Sequence, residues 1–361
     1  MPDHQFFPPE RRPRRQPSRR ARPTVLVTGA SGVVGHALIP RLRDMDVVCL
    51  VHRAPVAQVG IRSVQGDLTQ PRLGLSEAAY ARLARQVDVV VHAAAVTDFN
   101  RSDGSLEATN IGGTEQVVAL AEAAGARLYH VSTAFLHAEA EGERGRTAVR
   151  YAASKRAGEE LVRASAVPHV ILRPSVVIGD STNGYVRSFQ GLYLVASAIL
   201  AGYVPLIPFD ATWPIDFVPS DVVADAIVSA VQRELTTGEY WITAGEQALS
   251  VGQAVSVVVD FGRRIGTPVD PPRFVPPEMF DRLIGPVFLD ALPRRIRFTV
   301  LKLLEFFTVY LAREDAMPSS LEQLGLTGAK ALPDSAATMT ASLDYWARAT
   351  GRLPQAEPEV A

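Results

Sequence analysis

Three side chains in the middle of the chain could together transfer a proton. Tyr151 and Lys155 are four residues apart in a segment with helical character, so they would share one face of a helix. A phenol has an ordinary pKa of about 10, and a neighbouring ammonium would lower it towards working pH, which would make Tyr151 a general acid. Thr133 follows a predicted strand and would hold a substrate oxygen beside Tyr151. Lys155 is one of only three lysines among 37 basic residues, which favours a role that needs a lysine.

A glycine-rich segment near the start of the chain has the spacing of a dinucleotide-binding turn. Residues 28–35 read TGASGVVG and lie between a predicted strand and a predicted helix. Glycines permit the tight turn and let backbone N–H groups approach a pyrophosphate. Because both flanking elements are present, we favour dinucleotide binding over a purely structural turn. The predicted cofactor contacts in this segment are Gly29, Ser31, Gly32, Val33, Val34 and Gly35.

The ends of the next two predicted strands bear on which dinucleotide is bound. Arg53 follows the second strand, where an acid would bind a ribose 2′-hydroxyl and an arginine accommodates a 2′-phosphate. This favours NADPH over NADH, the alternative being a solvated surface arginine. Asp67 and Leu68 follow the third strand and are expected at the adenine, although an aspartate in a turn needs no ligand to explain it.

Small residues follow the fourth predicted strand. Ala93, Ala94 and Ala95 would let the backbone of the cofactor pass close to the sheet. His92, the residue before them, is more simply explained as a hydrogen-bonded structural histidine than as a catalyst.

These residues lie in an alternation of apolar runs and helical segments. The predicted strands cover residues 24–27, 47–52, 61–65, 87–92, 127–132 and 169–173, and they are nearly continuous in apolar residues, as in strands buried on both faces of a parallel sheet. The predicted helices between them cover 33–44, 76–85, 106–124 and 151–164. The alternation predicts an α/β fold, a Rossmann-type doubly wound parallel sheet with its ligand at the carboxyl ends of the strands.

The pattern changes after Pro174. Residues 188–207 are apolar and helical, whereas 215–218, 221–231 and 240–243 are predicted to rejoin the sheet. We therefore predict an NADP-binding domain over 24–180, rejoined by about 214–244, and a smaller, mainly helical substrate lobe over 181–213 and 245–361. Core packing explains the apolar stretches 189–207 and 296–313. Other roles stay open. The first stretch would line an acyl pocket, and the second would form a lid, a homodimer face or a membrane-surface contact.

Composition excludes several classes of protein. The 361 residues are 47% hydrophobic, which excludes disorder over most of the chain, and the single cysteine, Cys49, excludes an internal disulfide or a cysteine-built metal site. No apolar run reaches the length of a transmembrane segment. Residues 1–23 are rich in arginine and proline and are predicted to be a disordered tail, and the remainder carries a net charge of about −6. We expect a cytoplasmic protein with no metal and no nucleic-acid partner.

Residues 24–244 resemble the extended short-chain dehydrogenase/reductase superfamily. The similarity rests on TGxxGxxG at 28–35, YxxxK at 151–155 and RPSVVIG at 173–179. Within the superfamily, GDLTQPRLGLS at 66–76, VVVHAAAVTDF at 89–99, TNIGGT at 109–114 and HVSTAF at 130–135 resemble the thioester reductase and fatty acyl-CoA reductase branch. The first of these four is the most discriminating, because sugar-nucleotide epimerases of the superfamily do not usually carry it.

The resemblance implies NADPH-dependent reduction of an acyl thioester, on a carrier protein or coenzyme A, to an aldehyde, with further reduction to an alcohol left open. It makes Thr133, Tyr151 and Lys155 the catalytic triad, with Lys155 also contacting the cofactor. The further cofactor contacts that the shared motifs imply are Asn110, Pro174, Ser175 and Val176. The chain shows no adenylation or carrier module, so we expect the thioester to arrive in trans.

Three other functions stay open on the sequence. An NADP-dependent ketone or aldehyde reductase, that is, an alcohol dehydrogenase, would use the same triad on a free carbonyl. A sugar-nucleotide epimerase or dehydratase would favour a recycled NAD and an acid near position 53. A non-catalytic NADP sensor would need no proton donor, so the complete triad counts against it.

Overall fold

The structure is a computed structural model that describes residues 22–52, 61–97, 104–136, 146–276, 279–280, 297 and 314–353. Arg53, the tail up to residue 21 and all of 296–313 except Arg297 lie outside the described residues. The strands are β1 (Thr24–Thr28), β2 (Asp46–Val51), β3 (Arg62–Gln65), β4 (Val89–His92), β5 (Arg127–Val131), β6 (His169–Pro174), β7 (Val176–Ile178), β8 (Leu206–Ile207), β9 (Pro214–Ile215), β10 (Phe217–Pro219), β11 (Glu239–Ile242), β12 (Leu249–Ser250) and β13 (Arg273–Phe274). The helices are α1 (Val33–Leu38), α2 (Glu77–Ala84), α3 (Ser105–Glu107), α4 (Gly113–Ala124), α5 (Arg146–Ala164), α6 (Leu192–Leu200), α7 (Ser220–Gln232), α8 (Val251–Arg264) and α9 (Ser335–Ala349). None of these helices is both long enough and apolar enough to cross a bilayer.

Seven parallel strands form the central sheet, in the order β3-β2-β1-β4-β5-β6-β11. The strand order reverses between β1 and β4, and ligands of such sheets bind in the crevice at this reversal. Thr28 at the end of β1 lies opposite His92 at the end of β4. The glycine-rich turn and the alanine segment, residues 93–95, therefore start side by side. The predicted fold class, a doubly wound parallel sheet, is confirmed.

Helices cover both faces of the sheet. Val25 and Val27 of β1 point to the face covered by α1 and α7, and Leu26 points to the face covered by α2, α4 and α5. All three of these side chains are fully buried. The nearly continuous apolar strands are thus explained by burial on both faces.

A second apolar core lies in the C-terminal lobe. It is formed by α6, α8 and α9 with the short strand pairs β9–β12 and β8–β13. Its buried side chains include Ile199, Ile207, Val258, Leu343 and Trp346. From this lobe the chain returns through α7 to β11, which joins the central sheet beside β6.

Among the predicted elements, three depart clearly from the observed ones. The helix predicted over 33–44 is shorter: α1 ends at Leu38 and a 3₁₀ turn follows, because Pro40 has no N–H to continue the helix. The helix predicted over 106–124 is interrupted by a π-helical turn, Ala108–Gly112. The strand predicted over 215–218 divides at Asp216 into β9 and β10, and neither joins the central sheet. The Asp216 carboxylate instead accepts the N–H groups of Ala244 and Gly245 at 2.9 and 3.1 Å.

Candidate active site

Helix α5 carries the two residues of the predicted triad that need a shared helix face. It begins at Arg146, five residues before the predicted start, so Tyr151 and Lys155 lie well inside it. Both residues are buried, and only 2% of Lys155 is exposed. The Lys155 Nζ donates to the carbonyl oxygen of Val131, the last residue of β5, at 2.8 Å. This bond holds the ammonium under the end of the strand from which Thr133 follows two residues later.

Tyr151 lies close to the Thr133 side chain. Burial raises the pKa of Tyr151 to about 12, and the Thr133 hydroxyl opposes this rise without overcoming it. The predicted lowering of this pKa, by the Lys155 ammonium and a bound nicotinamide ring, is not seen in the protein alone, because loss of water around the phenolate dominates there. A phenol with this pKa carries its proton at neutral pH. Tyr151 is therefore in the state that a proton donor requires.

Lys155 has the opposite response to burial. Burial lowers the pKa of Lys155 to about 8, and the carboxylate of Glu159 partly restores it. At neutral pH the ammonium is the major form. The structure thus brings Thr133, Tyr151 and Lys155 together, and their catalytic role stays a prediction.

The glycine-rich turn fits a dinucleotide because it has no room for side chains. Gly29 has φ +75°, and a Cβ on it would lie 2.6 Å from the backbone of Ala93 and Ala94. A Cβ on Gly35 would lie 2.2 Å from the carbonyl oxygen of Gly29. The turn therefore packs directly on the alanine segment, with the backbone amide of Ala94 donating to Thr28 Oγ1 at 3.3 Å. Ser31 and Gly32 are exposed at its tip, open to a ligand.

The predicted adenine contact lies at the ends of β2 and β3. Asp67 Oδ1 accepts the backbone and hydroxyl protons of Thr69 at 2.9 and 2.8 Å, and its other oxygen lies 3.6 Å from His52 Nε2. Leu68 packs on the start of α4, where a Cβ on Gly113 would come within 3.2 Å of it. Arg53, next to His52, is outside the described residues.

The segment GDLTQPRLGLS contains a left-handed turn that the sequence did not predict. Arg72 and Leu73 have φ of 54° and 58°, and Gly74 has φ of 70°. For a residue with a side chain this conformation costs about 1–2 kcal/mol. Two contacts offset that cost: Leu73 is fully buried, and its carbonyl oxygen accepts the backbone amide of Asp67 at 2.8 Å. The turn therefore positions Asp67.

Asn110 links the alanine segment to α5. It lies in the π-helical turn, almost fully buried, and its Oδ1 accepts the Val96 amide at 2.8 Å. Its Nδ2 donates to the Val96 carbonyl at 3.1 Å and to Ser154 Oγ at 3.0 Å, and Ser154 in turn donates to the Tyr151 carbonyl. Both amide protons are thus used within the protein. The predicted cofactor contact of Asn110 stays a prediction, and the observed bonds position Tyr151.

The predicted contacts at the end of β6 lie beside Thr133. The carbonyl oxygen of Pro174 accepts the amide of Ala134 at 2.8 Å. Ser175 is buried and its amide donates to Ile242 of β11, while Val176 is half-buried. These three residues therefore reach the same end of the sheet as the triad.

Two buried histidines lie below the site. His92 Nδ1 is 2.7 Å from Thr28 Oγ1 and its Nε2 is 3.1 Å from Thr114 Oγ1. Since the Thr114 hydroxyl donates to the Asn110 carbonyl, the proton of His92 belongs on Nε2. Burial lowers the pKa of His92 to about 3, and the ring is neutral and structural, as predicted. His130, with its ring centre 5.3 Å away, is fully buried and has no hydrogen-bond partner among the described residues.

Sequence reasoning missed a buried carboxylate next to the triad. Glu159 lies one helical turn after Lys155 and is completely buried. Arg173 Nε and Nη2 donate to it at 2.9 and 2.7 Å, and Arg163 Nη2 donates at 2.5 Å. The spacing of four residues from Lys155 was the available signal, because it places both residues on one helix face.

Comparison with known proteins finds relatives among the peptide synthases. An NAD-binding family model described as "Male sterility protein" matches residues 55–227. A linear gramicidin synthase protein of Brevibacillus parabrevis is 31% identical over 252 residues, 58% of this chain and 5% of that protein. Isonitrile lipopeptide synthase of Streptomyces coeruleorubidus is 31% identical over 249 residues, 56% of this chain and 16% of that protein. The chain thus spans only a small part of the length of these relatives.

A solved structure extends the similarity to nearly the whole chain. The terminal R domain from the myxalamid PKS-NRPS biosynthetic pathway superposes with a TM-score of 0.73 and 26% identity, covering 94% of each chain. This coverage includes the C-terminal lobe, for which the sequence showed no specific match. The family model, the two synthases and this R domain agree, and they support the predicted resemblance to the extended short-chain dehydrogenase/reductase superfamily, in its thioester reductase branch.

Proposed function

We propose that this protein is an NADPH-dependent reductase that converts an acyl thioester to an aldehyde. The observation that carries the proposal is that Tyr151 and Lys155 are buried one helical turn apart on α5, beside Thr133, at the sheet edge where the glycine-rich turn lies. The related proteins support a thioester as the substrate, since two of them are synthases of peptide products and the structural neighbour is a terminal R domain.

Each member of the triad has a distinct part. NADPH, when bound, supplies the hydride for the carbonyl carbon. The hydroxyls of Thr133 and Tyr151 bind the carbonyl oxygen, and Tyr151 gives that oxygen its phenolic proton. Lys155 binds the nicotinamide ribose and places a positive charge below Tyr151. The resulting hemithioacetal breaks down to an aldehyde and a free thiol, and a second reduction of the aldehyde would give the alcohol.

The proposal also includes the identity of the cofactor and the carrier of the acyl group. Gly29, Gly32 and Gly35 would hold the pyrophosphate, and Arg53 would bind the 2′-phosphate that distinguishes NADPH. Asp67 lies at the adenine. The acyl group arrives in trans, as a thioester of a carrier protein or of coenzyme A.

The test follows NADPH absorbance with purified protein and a panel of matched substrates. Acyl-CoA and acyl-pantetheine thioesters are offered beside the corresponding aldehydes and ketones, and free thiol is titrated in parallel. We expect NADPH consumption with stoichiometric thiol release, and much slower consumption of NADH. If NADPH is oxidised only with aldehydes or ketones, the protein is a carbonyl reductase and the proposal fails. Binding of NADPH with no oxidation by any substrate would replace it with an NADP sensor.

A further inference from the structure

Three charged or polar groups of α5 are stacked on one buried helix face. Tyr151, Lys155 and Glu159 follow one another at intervals of four residues, which corresponds to about one helical turn each. The exposed fractions of the three residues are 8%, 2% and 0%. A buried carboxylate is costly unless it is paired, so its presence directly below Lys155 needs an explanation.

Two arginines bind the carboxylate of Glu159. Arg173 of β6 binds both of its oxygens, at 2.9 and 2.7 Å, and Arg163 of α5 binds one at 2.5 Å. Glu239 of β11 pairs with the same two arginines, at 2.5 Å from Arg173 and 2.6 Å from Arg163. The Arg173 guanidinium also lies over the Trp241 ring, 5.2 Å from its centre. Two acids and two arginines thus balance one another in what we call the Glu159 network.

Lys155 has few other anions to support its charge. The groups that surround it are Tyr151 and Glu159 of α5, His92 of β4 and His130 of β5. Burial keeps both imidazoles neutral, and the ammonium itself lowers the pKa of each. Tyr151 is protonated. Among the described carboxylates, Glu159 is the one that raises the pKa of Lys155.

We propose that Glu159 is a positioning residue of the reaction, whose buried carboxylate keeps Lys155 in its ammonium form one helical turn away. Arg163 and Arg173 serve this role by binding the carboxylate and fixing its position. The effect on turnover rests on the proposed function, whereas the effect on Lys155 does not. The competing explanation is an ion network that only ties α5 to β6 and β11.

Titration of Lys155 tests the proposal directly. The chain has three lysines, so replacing Lys302 and Lys330 with arginine leaves a single lysine, and ¹³C at its Cε reports its protonation by NMR. In this background we compare Glu159→Gln with Glu239→Gln, which removes the other carboxylate of the same network. We expect Glu159→Gln to lower the Lys155 midpoint by about one pH unit or more. Glu239→Gln should leave the midpoint close to that of the parent.

A midpoint that stays unchanged in Glu159→Gln, or that falls equally in both variants, would overturn the proposal and leave the structural explanation. If Glu159→Gln does not fold, Glu159→Asp replaces it, since the shorter side chain keeps the charge but moves it away from Lys155. That variant should lower the midpoint by a smaller amount, and no change would again overturn the proposal.

The pH dependence of turnover separates this inference from the proposed function. The alkaline limb of kcat/KM for thioester reduction should move to lower pH in Glu159→Gln, and Glu159→Asp should restore most of the difference. If the wild-type protein reduces no thioester but Lys155 titrates as expected, the proposed function fails and the inference stands. If thioester reduction is robust and neither the Lys155 midpoint nor the alkaline limb moves, the inference alone fails.

Discussion

The carboxyl end of the central sheet and the C-terminal lobe bury opposite kinds of side chain. Below the ends of β4, β5 and β6, the buried residues are imidazoles, an ammonium, and a carboxylate with its arginine: His92, His130, Lys155, Glu159 and Arg173. The lobe is packed with aliphatic and aromatic residues instead, around a cavity of about 30 Å³ whose lining is entirely apolar. Both regions contain buried side chains, so they differ in the chemistry of these side chains and not in the extent of burial.

This difference assigns function mainly to the sheet end and stability mainly to the lobe core. A buried polar group costs free energy unless each of its donors and acceptors is paired, and the sheet end carries many such groups. The lobe carries its stability in apolar contacts, which are insensitive to pH. We therefore expect changes at the sheet end to alter turnover and pH dependence, and changes in the lobe core to alter stability.

The largest expected effect is that of Tyr151→Phe. The change removes the phenolic proton and keeps the ring, so turnover should fall by roughly 10²–10⁴-fold while the fold and NADPH binding are retained. Steady-state kinetics and a fluorescence titration with NADPH check this. Tyr129→Phe is the matched control: Tyr129 is another buried phenol with a pKa of about 12, on the opposite face of the sheet, where it donates to Leu235. Equal losses of turnover in both variants would contradict a special role for Tyr151.

The next largest effect is that of Gly35→Ala. Its Cβ would lie 2.2 Å from the Gly29 carbonyl, so the glycine-rich turn must open, at a cost of about 1–3 kcal/mol. We expect dinucleotide affinity to fall at least about tenfold, as 1.4 kcal/mol implies. Isothermal calorimetry with NADPH measures it. Gly112→Ala, at a helical position with open space around it, should leave the affinity unchanged, and a comparable loss there would show that the turn is not responsible.

A third expectation concerns acid stability. Burial lowers the pKa of His130 well below its ordinary value, so the unfolded chain binds a proton below about pH 6.5 that the folded chain does not. The free energy of unfolding therefore falls as the pH drops below that value. His130→Leu should remove up to about 1.4 kcal/mol per pH unit from this slope between pH 6.5 and pH 5. Denaturant unfolding at several pH values measures the slope. Tyr129→Phe is the control, which should lower stability without altering the pH slope.

The smallest expected effect is in the lobe. Val258→Ile adds one methylene towards the apolar cavity, which should raise the free energy of unfolding by up to about 0.8 kcal/mol and leave turnover unchanged. The matched control is Val231→Ile in α7, which is equally buried but lies outside this cavity, so overpacking should lower stability there by about 1–3 kcal/mol. Urea unfolding compares the two. A change in turnover in Val258→Ile would show that the lobe core takes part in substrate binding.

Much of the candidate site could be predicted because it depends on short spacings. The turn from Gly29 to Gly35 lies between adjacent elements, and Tyr151 and Lys155 share a helix face by their separation alone. Apolar runs located six strands of the sheet, and the parallel arrangement then placed Thr133 and Ala93 at one edge. The chemistry of these residues followed from their type.

Other features could not be predicted because they depend on contacts between distant residues. The raised pKa of Tyr151 follows from burial, which no local pattern reports. Asp216 breaks a predicted strand because Ala244 and Gly245, nearly thirty residues later, donate to it. The left-handed turn at Arg72 and Leu73 is stabilised by a buried side chain and a bond to Asp67.

The sequence by itself determined which residues could donate a proton, bind a pyrophosphate and form the strands that carry them. These properties follow from residue type and from separations of a few positions. Only the tertiary structure decided the protonation states of those residues and the partners that maintain them. The reason is physical: the charge on Lys155 depends on how much water and which ions surround it, and Glu159 is held in place by Arg173 of β6, which also pairs with Glu239 of β11.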